Sequence, residues 1–230
     1  MPFIDLLASS GLGSLLGVRH ALEPDHLAAV TTLVSRERSS VRAAMLGAWW
    51  GLGHTLALVV VGALLIVLRK EMPSALTEVF ELGVALMLIA LGLRAVLQAM
   101  RQGPDGPERL HRHGHIVHSH AGVPSHLHVG NWTLARRPFL IGAVHGLAGS
   151  GTLTALVLAT LPTTASQLSY MALFGLGSTF GMAALSGLLG WPLARFGAHH
   201  LVARVVTLAV GCTSTLLGLW WGQAAVARLM

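Results

Sequence analysis

The run Arg19-His20-Ala21-Leu22-Glu23-Pro24-Asp25-His26 stands inside an apolar segment that extends from about residue 3 to 34. Two imidazoles and two carboxylates in such a setting restrict the fold severely. Ionisable groups are costly at membrane depth, so they face a bundle interior or a watery path, and they mark ion paths or proton relays. Pro24 adds a second restriction. It has no N–H to give the carbonyl of residue 20, so a regular helix cannot pass through the motif undisturbed. Backbone left unsatisfied at that depth must be buried in protein or line a cavity. The segment predicts a first helix broken near Pro24, with its polar groups gathered at the break.

The rest of the chain fits that setting. Of 230 residues, 53% are hydrophobic and only 10% are charged, against about 25% charged in a soluble domain. The chain reads as an all-α integral membrane protein with the lipid bilayer as its surroundings. A span needs roughly 20 mostly apolar residues. Six stretches qualify, at about 3–34, 43–68, 76–99, 138–161, 167–194 and 201–225. The N-terminus lacks the basic region and small-residue cleavage site of a signal peptide, so its apolar run is expected to remain as a span. The single cysteine, Cys212, excludes an internal disulfide and a paired-thiol redox site.

The net charge is +6, but the cations sit in the gaps between apolar stretches. That pattern sets topology and does not make a nucleic-acid surface. Arg36, Arg38 and Arg42 lie in the first gap, Arg101, Arg109, Arg112, Arg136 and Arg137 in the third, and Arg195 and Arg204 in the fifth. The positive-inside bias makes those gaps cytoplasmic and puts both termini outside the cytoplasmic (inner) membrane. Trp49, Trp50, Trp220 and Trp221 fall near expected span ends, where interface tryptophans are common.

The two halves resemble each other at an offset of about 125 residues. Leu16–Leu22 aligns with Ile141–Leu147, Gly51–Thr55 with Gly175–Thr179, and Leu91–Leu93 with Leu217–Leu219. Three spans per copy is an odd number, so the copies have opposite orientation. Inverted repeats are a transporter signature, with the site at the midplane between them. The expected organisation is a first three-helix repeat at 1–100, a linking segment at 101–137 and a second repeat at 138–230. The link carries His111, His113, His115, His118, His120, His126 and His128. It reads as a flexible cytoplasmic loop without a packed element, either a metal reservoir or sensor or a solvated linker.

Histidines with carboxylates and no thiolate suit a borderline divalent ion. Cu(I) would want sulfur, and Mg2+ or Ca2+ an all-oxygen shell. On an ideal helix His20 lies roughly 140° from Asp25 and 120° from His26, so only a broken turn could bring all three to one ion. His54 would add a ligand from the next span. The competing reading of His20, Asp25 and His26 is a hydrogen-bonded knot that fixes helix packing. Glu23 is read equally as a ligand or as the partner of Arg19. His145, the repeat mate of His20, stands equally as ligand or core histidine, with Ala148-Gly149-Ser150-Gly151 following it. Ser150, Ser178 and Thr179 offer weak oxygen contacts or close packing. Glu81, beside Glu78, reads as a carboxylate near the interface.

His-x4-Asp-His, formed by His20, Asp25 and His26, followed by Leu52-Gly53-His54-Thr55, resembles the nickel/cobalt transporter superfamily. The six-span form with His145–Ser150 looks most like its UreH-like branch of nickel permeases. The His-rich loop is similar to that of its efflux branch. The resemblance implies secondary transport of Ni2+ or Co2+, with His20–His26 essential and His54 contributing, and import favoured over export. It implies no cofactor beyond the carried ion. It implies cytoplasmic metal chaperones or nickel-enzyme maturation proteins as partners. Eight-span members carry a later acidic signature that Ala148–Gly151 lacks. Membrane potential favours cation uptake by about 2.3 kcal/mol per charge per 100 mV, whereas export needs a counter-ion. The alternative of another class is a membrane-embedded zinc hydrolase, which would use the same residue types around an activated water.

Overall fold

The computed structural model describes the backbone of residues 2–35, 37, 39–68, 72–101, 109–113, 116–120, 127–129, 132–134, 136–196 and 200–230, with the side chains of this set except those of residues 2–10, 109–134, 149–156, 158–160, 193, 194, 196 and 200. Seven helices carry these residues: α1 Pro2–His20, α2 Pro24–Val34, α3 Ser40–Leu68, α4 Ser74–Arg101, α5 Arg136–Thr160, α6 Thr164–Phe196 and α7 His200–Leu229. Among the described residues, four stretches are long and apolar enough to cross a membrane: Ser40–Leu68, Ser74–Arg101, Thr164–Pro192 and Leu201–Leu229. Large apolar side chains point outward along them, among them Val60, Leu64, Leu86, Phe180, Leu188 and Leu216. A water-soluble surface does not tolerate such a continuous belt.

The break expected at Pro24 falls just before it. Ala21 N–H still reaches Gly17 O at 3.2 Å, but Leu22 and Glu23 tighten onto Arg19 O and His20 O, both at 3.0 Å. Pro24 then opens α2 at a first-turn position, where its missing N–H has no helical role. Asp25 follows in that first turn, where the helix dipole favours a negative charge.

The helices pair in a regular way. α1 packs against α6, α3 against both α5 and α6, and α4 against α7. Glycine sets the close approaches, and they come in related pairs. A Cβ on Gly17 would meet the Phe174 carbonyl, and one on Gly142 the Trp50 carbonyl; one on Gly53 would meet the Phe139 carbonyl, and one on Gly177 the Ser14 carbonyl. Gly13 and Gly17, Gly47 and Gly51, and Gly142 and Gly146, each pair four residues apart, all make such contacts within the chain.

Two apolar cores fill the bundle. One gathers Val30, Val34, Trp50, Leu88 and Met182; the other gathers Leu58, Ile66, Val157, Tyr170, Met171 and Phe174. Along α3, His54 falls between Trp50 of the first core and Leu58 of the second. Trp50, expected at an interface, is instead 1% exposed. It stands four residues before His54, on the same helix face.

The link between α4 and α5 departs from a segment without elements. Its described residues form two antiparallel hairpins, β1 Arg109–His113 with β2 Ile116–His120, and β3 Leu127–Val129 with β4 Trp132–Leu134. Ile116, Val117, Val129, Trp132 and Thr133 give three of the four strands the β-branched and aromatic residues that favour strand pairing.

The tight glycine contacts give a stability prediction. Gly142→Ala forces its methyl into the Trp50 backbone and should destabilise the protein by about 1–3 kcal/mol. Gly83→Ala, with nothing within 4 Å of its Cβ, should leave the melting temperature in detergent unchanged or slightly raised. Equal melting temperatures for the two variants would refute the packing account.

Candidate metal site

Four imidazoles converge between the two cores. His20 closes α1, His26 lies in the first turn of α2, His54 lies mid-way along α3, and His145 sits on α5. Ring centroids are 4.4 Å apart for His20 and His26, 5.2 Å for His26 and His54, and 4.3 Å for His26 and His145. One ligand atom each from His20, His26 and His54 lie within 4.8 Å of one another, and so do those of Asp25, His26 and His145. His26 belongs to both groups.

Asp25 organises the second group. His26 Nδ1–H donates to Asp25 Oδ1 at 3.0 Å, and His145 Nε2–H donates to Oδ2 at 2.7 Å. A carboxylate only accepts, so each ring carries its proton on the nitrogen that faces Asp25. The opposite nitrogens, His26 Nε2 and His145 Nδ1, present lone pairs. Both are buried without a hydrogen-bond partner, as are His20 Nε2 and both nitrogens of His54. His20 engages Glu23 through Nδ1, at 3.0 Å.

A buried polar atom without a partner costs about 1–3 kcal/mol. Five such ring nitrogens meet here. A neutral His54 ring carries a proton on one of its two nitrogens, so four of the five offer lone pairs; a polar knot built for packing would pair them, whereas a Lewis-acid site needs them open. Carboxylates behind histidines are also the usual device for orienting metal-binding imidazoles.

Each of the other residues singled out in the sequence has a distinct place. Glu23, weighed between an ion and Arg19, is paired with His20. His145 is tied to Asp25. Ser178 is fully buried, with its Oγ unpartnered, and lies in neither ligand group. Thr179 joins Thr55 at 2.8 Å, and Thr55 donates onward to Gly175 O at 2.7 Å. These two bonds tie α3 to α6. The side chain of Ser150 lies outside the described residues. So do His115 and His126, and the side chains of His111, His113, His118, His120 and His128.

A cavity of about 440 Å3 leads to the cluster. Its lining includes His20, His26, His54, His145 and Asp25, together with Arg19, Glu23 and Glu81. Six waters occupy roughly 180 Å3 at ~30 Å3 each, so the volume is sufficient for a hydrated divalent ion. Leu58 lies past the middle of α3, Glu81 near the start of α4, Tyr170 near the start of α6 and Trp221 near the end of α7. The cavity therefore lies toward the end of the bundle where α4 and α6 begin and α7 ends. Trp50 backs the site, 5.5 Å from His26 and 5.6 Å from His145 between centroids. Sequence reasoning missed Glu81 as a lining residue. Its position on the α4 face that carries Val84 and Leu88 was the available signal.

A family of high-affinity nickel-transport proteins, NicO, matches residues 6–230. The chain belongs to the NicO family. It is 30% identical over 220 residues to the urease accessory protein UreH of Bacillus sp. (strain TB-90), covering 95% of this chain and 92% of that protein. It is 28% identical over 189 residues to chloroplast protein FOR GROWTH AND FERTILITY 1 of Arabidopsis thaliana, covering 80% of this chain and 50% of the relative. A second Arabidopsis thaliana protein, FOR GROWTH AND FERTILITY 2, is 26% identical over 188 residues, covering 81% of this chain and 48% of its own length. The chain thus spans about half of each plant protein. No solved structure matches. As a NicO member the protein is a multi-pass membrane protein of nickel transport and not an enzyme, so the hydrolase alternative falls.

The geometry predicts the effect of loosening the carboxylate behind the histidines. Asp25→Asn removes the charge that orients His26 and His145. It should weaken Ni2+ binding to purified protein by about 10–100-fold, measured by equilibrium dialysis. Ser178→Ala, outside both ligand groups, should leave binding unchanged.

Proposed function

We propose that the protein carries Ni2+ into the cytoplasm across the cytoplasmic membrane, with Co2+ as a second substrate, through the buried imidazole cluster. The observation that carries this reading is the set of bare, buried ring nitrogens in a cavity toward one end of the bundle. His20, His26 and His54 are the proposed ligands. Asp25 and His145 orient and charge-balance them from behind.

Six spans in two inverted three-helix repeats are part of the proposal. The first repeat is α1 with α2, α3 and α4; the second is α5, α6 and α7. Their support is the pairwise recurrence of contacts. The Gly17–Phe174 approach returns as Gly142–Trp50, and Gly53–Phe139 as Gly177–Ser14. Thr55 bonds its own repeat mate Thr179, and Ser214 donates to its counterpart Leu88 O at 3.0 Å. Residues near a two-fold axis meet their own mates in this way.

The arginine-rich gaps argue for a cytoplasmic 101–137 segment and outward termini. In that orientation the cavity lies toward the outside, which favours import. An inside-negative potential then assists a divalent cation by about 4.6 kcal/mol per 100 mV. The backbone register of β1 and β2 sets His111 opposite His118 and Arg109 opposite His120. That placement supports a cytoplasmic reservoir for the delivered ion. A relative named for an accessory role to urease supports nickel-enzyme maturation proteins as recipients.

The test is uptake into sealed proteoliposomes of known orientation under an imposed potential. Wild type should show saturable Ni2+ uptake, accelerated when the inside is negative. His26→Ala, which removes the imidazole shared by both groups, should lower it by about 100-fold or more. Flux that survives His26→Ala intact would sink the site. Flux favouring the opposite direction under equal gradients would turn import into efflux.

A further inference from the structure

A guanidinium already pairs with Glu81, a carboxylate that lines the cavity. Arg228, near the end of α7, donates through Nε to both carboxylate oxygens of Glu78 at 2.8 Å, and through a terminal nitrogen to Glu81. Glu81 lines the same cavity as His20 and His54. His54 is fully buried there with both nitrogens unpartnered. The carboxylate and the imidazoles thus belong to one continuous space.

Resting on the transport reading, we propose that Glu81, supported by Glu78, is the outer station of the cation path, and that Arg228 is a tethered competitor an incoming divalent ion displaces. Charge supports the exchange. Two carboxylates and one guanidinium leave a net single negative charge, whereas a divalent ion balances both carboxylates. A monovalent ion gains less than the guanidinium it would replace, so the clamp discriminates by charge before the ion meets the histidines. Strength supports it too. The Arg228 side chain is 50% exposed, and ion pairs with an exposed partner are weak enough to exchange. A purely structural tie is not needed here, because α4 and α7 already interlock at Gly92 with Gly211, at Gly218 with Ala85, and through Ser214 and Leu88. From Glu81 the next ligand is His20, the most exposed of the cluster imidazoles at 15%.

The test measures initial Ni2+ uptake against concentration in proteoliposomes at fixed potential, with melting temperatures of every variant. Glu81→Gln should raise KM roughly three- to tenfold with Vmax within about twofold of wild type. Arg228→Gln should lower KM by a similar factor and make uptake sensitive to millimolar Mg2+, whereas Arg228→Lys should behave as wild type. The double variant Arg228→Gln/Glu81→Gln should match Glu81→Gln, since the arginine acts only through the carboxylate. Unchanged KM in both single variants, or a joint fall in Vmax and melting temperature, would overturn the station and leave a structural tie. Absence of uptake by wild type would instead overturn the transport reading, and the station with it.

Discussion

The carboxylate of Asp25, held between His26 and His145, is the interaction around which the bundle is arranged. A carboxylate at membrane depth needs hydrogen-bond donors in place of water. Two imidazoles from α2 and α5 supply them at 3.0 and 2.7 Å. To bring those helices together the chain must break between His20 and Pro24, so that Asp25 starts a new helix with its charge at the favourable end. The same break frees His20 at the end of α1 to face His26 and His54. One anion therefore dictates the interruption of the first helix, the protonated side of two rings and the direction of their lone pairs.

Close backbone approach is the second requirement, and it follows from the first. Side chains as small as imidazole meet only if the helices that carry them nearly touch. Glycines provide that distance: Gly146 lies against the His54 backbone, and Gly142 against Trp50. Trp50 then closes the site from behind with its ring against His26 and His145. The glycine positions and the histidine positions are two expressions of one packing solution, with apolar cores on either side that keep the bundle rigid around a polar centre.

Much of this was legible in the residues. Proline beside two carboxylates inside an apolar run announced the break, because its chemistry is local. His20, His26 and His54 were legible because ionisable groups at membrane depth have few uses. What depended on long-range packing was not. Asp25 and His145 are far apart in the chain, and nothing in their local sequence pairs them. Trp50 was misplaced at an interface because distance from the apparent span end was weighed above its spacing from His54. Glu81 reads as an interface carboxylate from its neighbours in the chain, because the cavity it lines is built from residues of all seven helices. The linking segment was read without elements because a helical period is a stronger signal than three- to five-residue strands.

The placement of the ligands across the chain also constrains any motion of the ion. His20 and His26 stand on opposite sides of the break, His54 on the following helix, and His145 beyond the linking segment. Under the proposed repeats, three of these rings belong to one copy and His145 to the other. Asp25 therefore spans the two copies, through His26 on one side and His145 on the other. A rigid rocking of one copy against the other would leave His20, His26 and His54 together while stretching the Asp25–His145 bond. Once that bond lengthens, Asp25 is free to act on the ion rather than on His145. An ion that arrives at three imidazoles could then acquire a carboxylate as the site turns, and lose it again as the bond re-forms. Under the proposed repeats, this arrangement would tie the strength of ion binding to the relative position of the two halves, which is the coupling that alternating access requires.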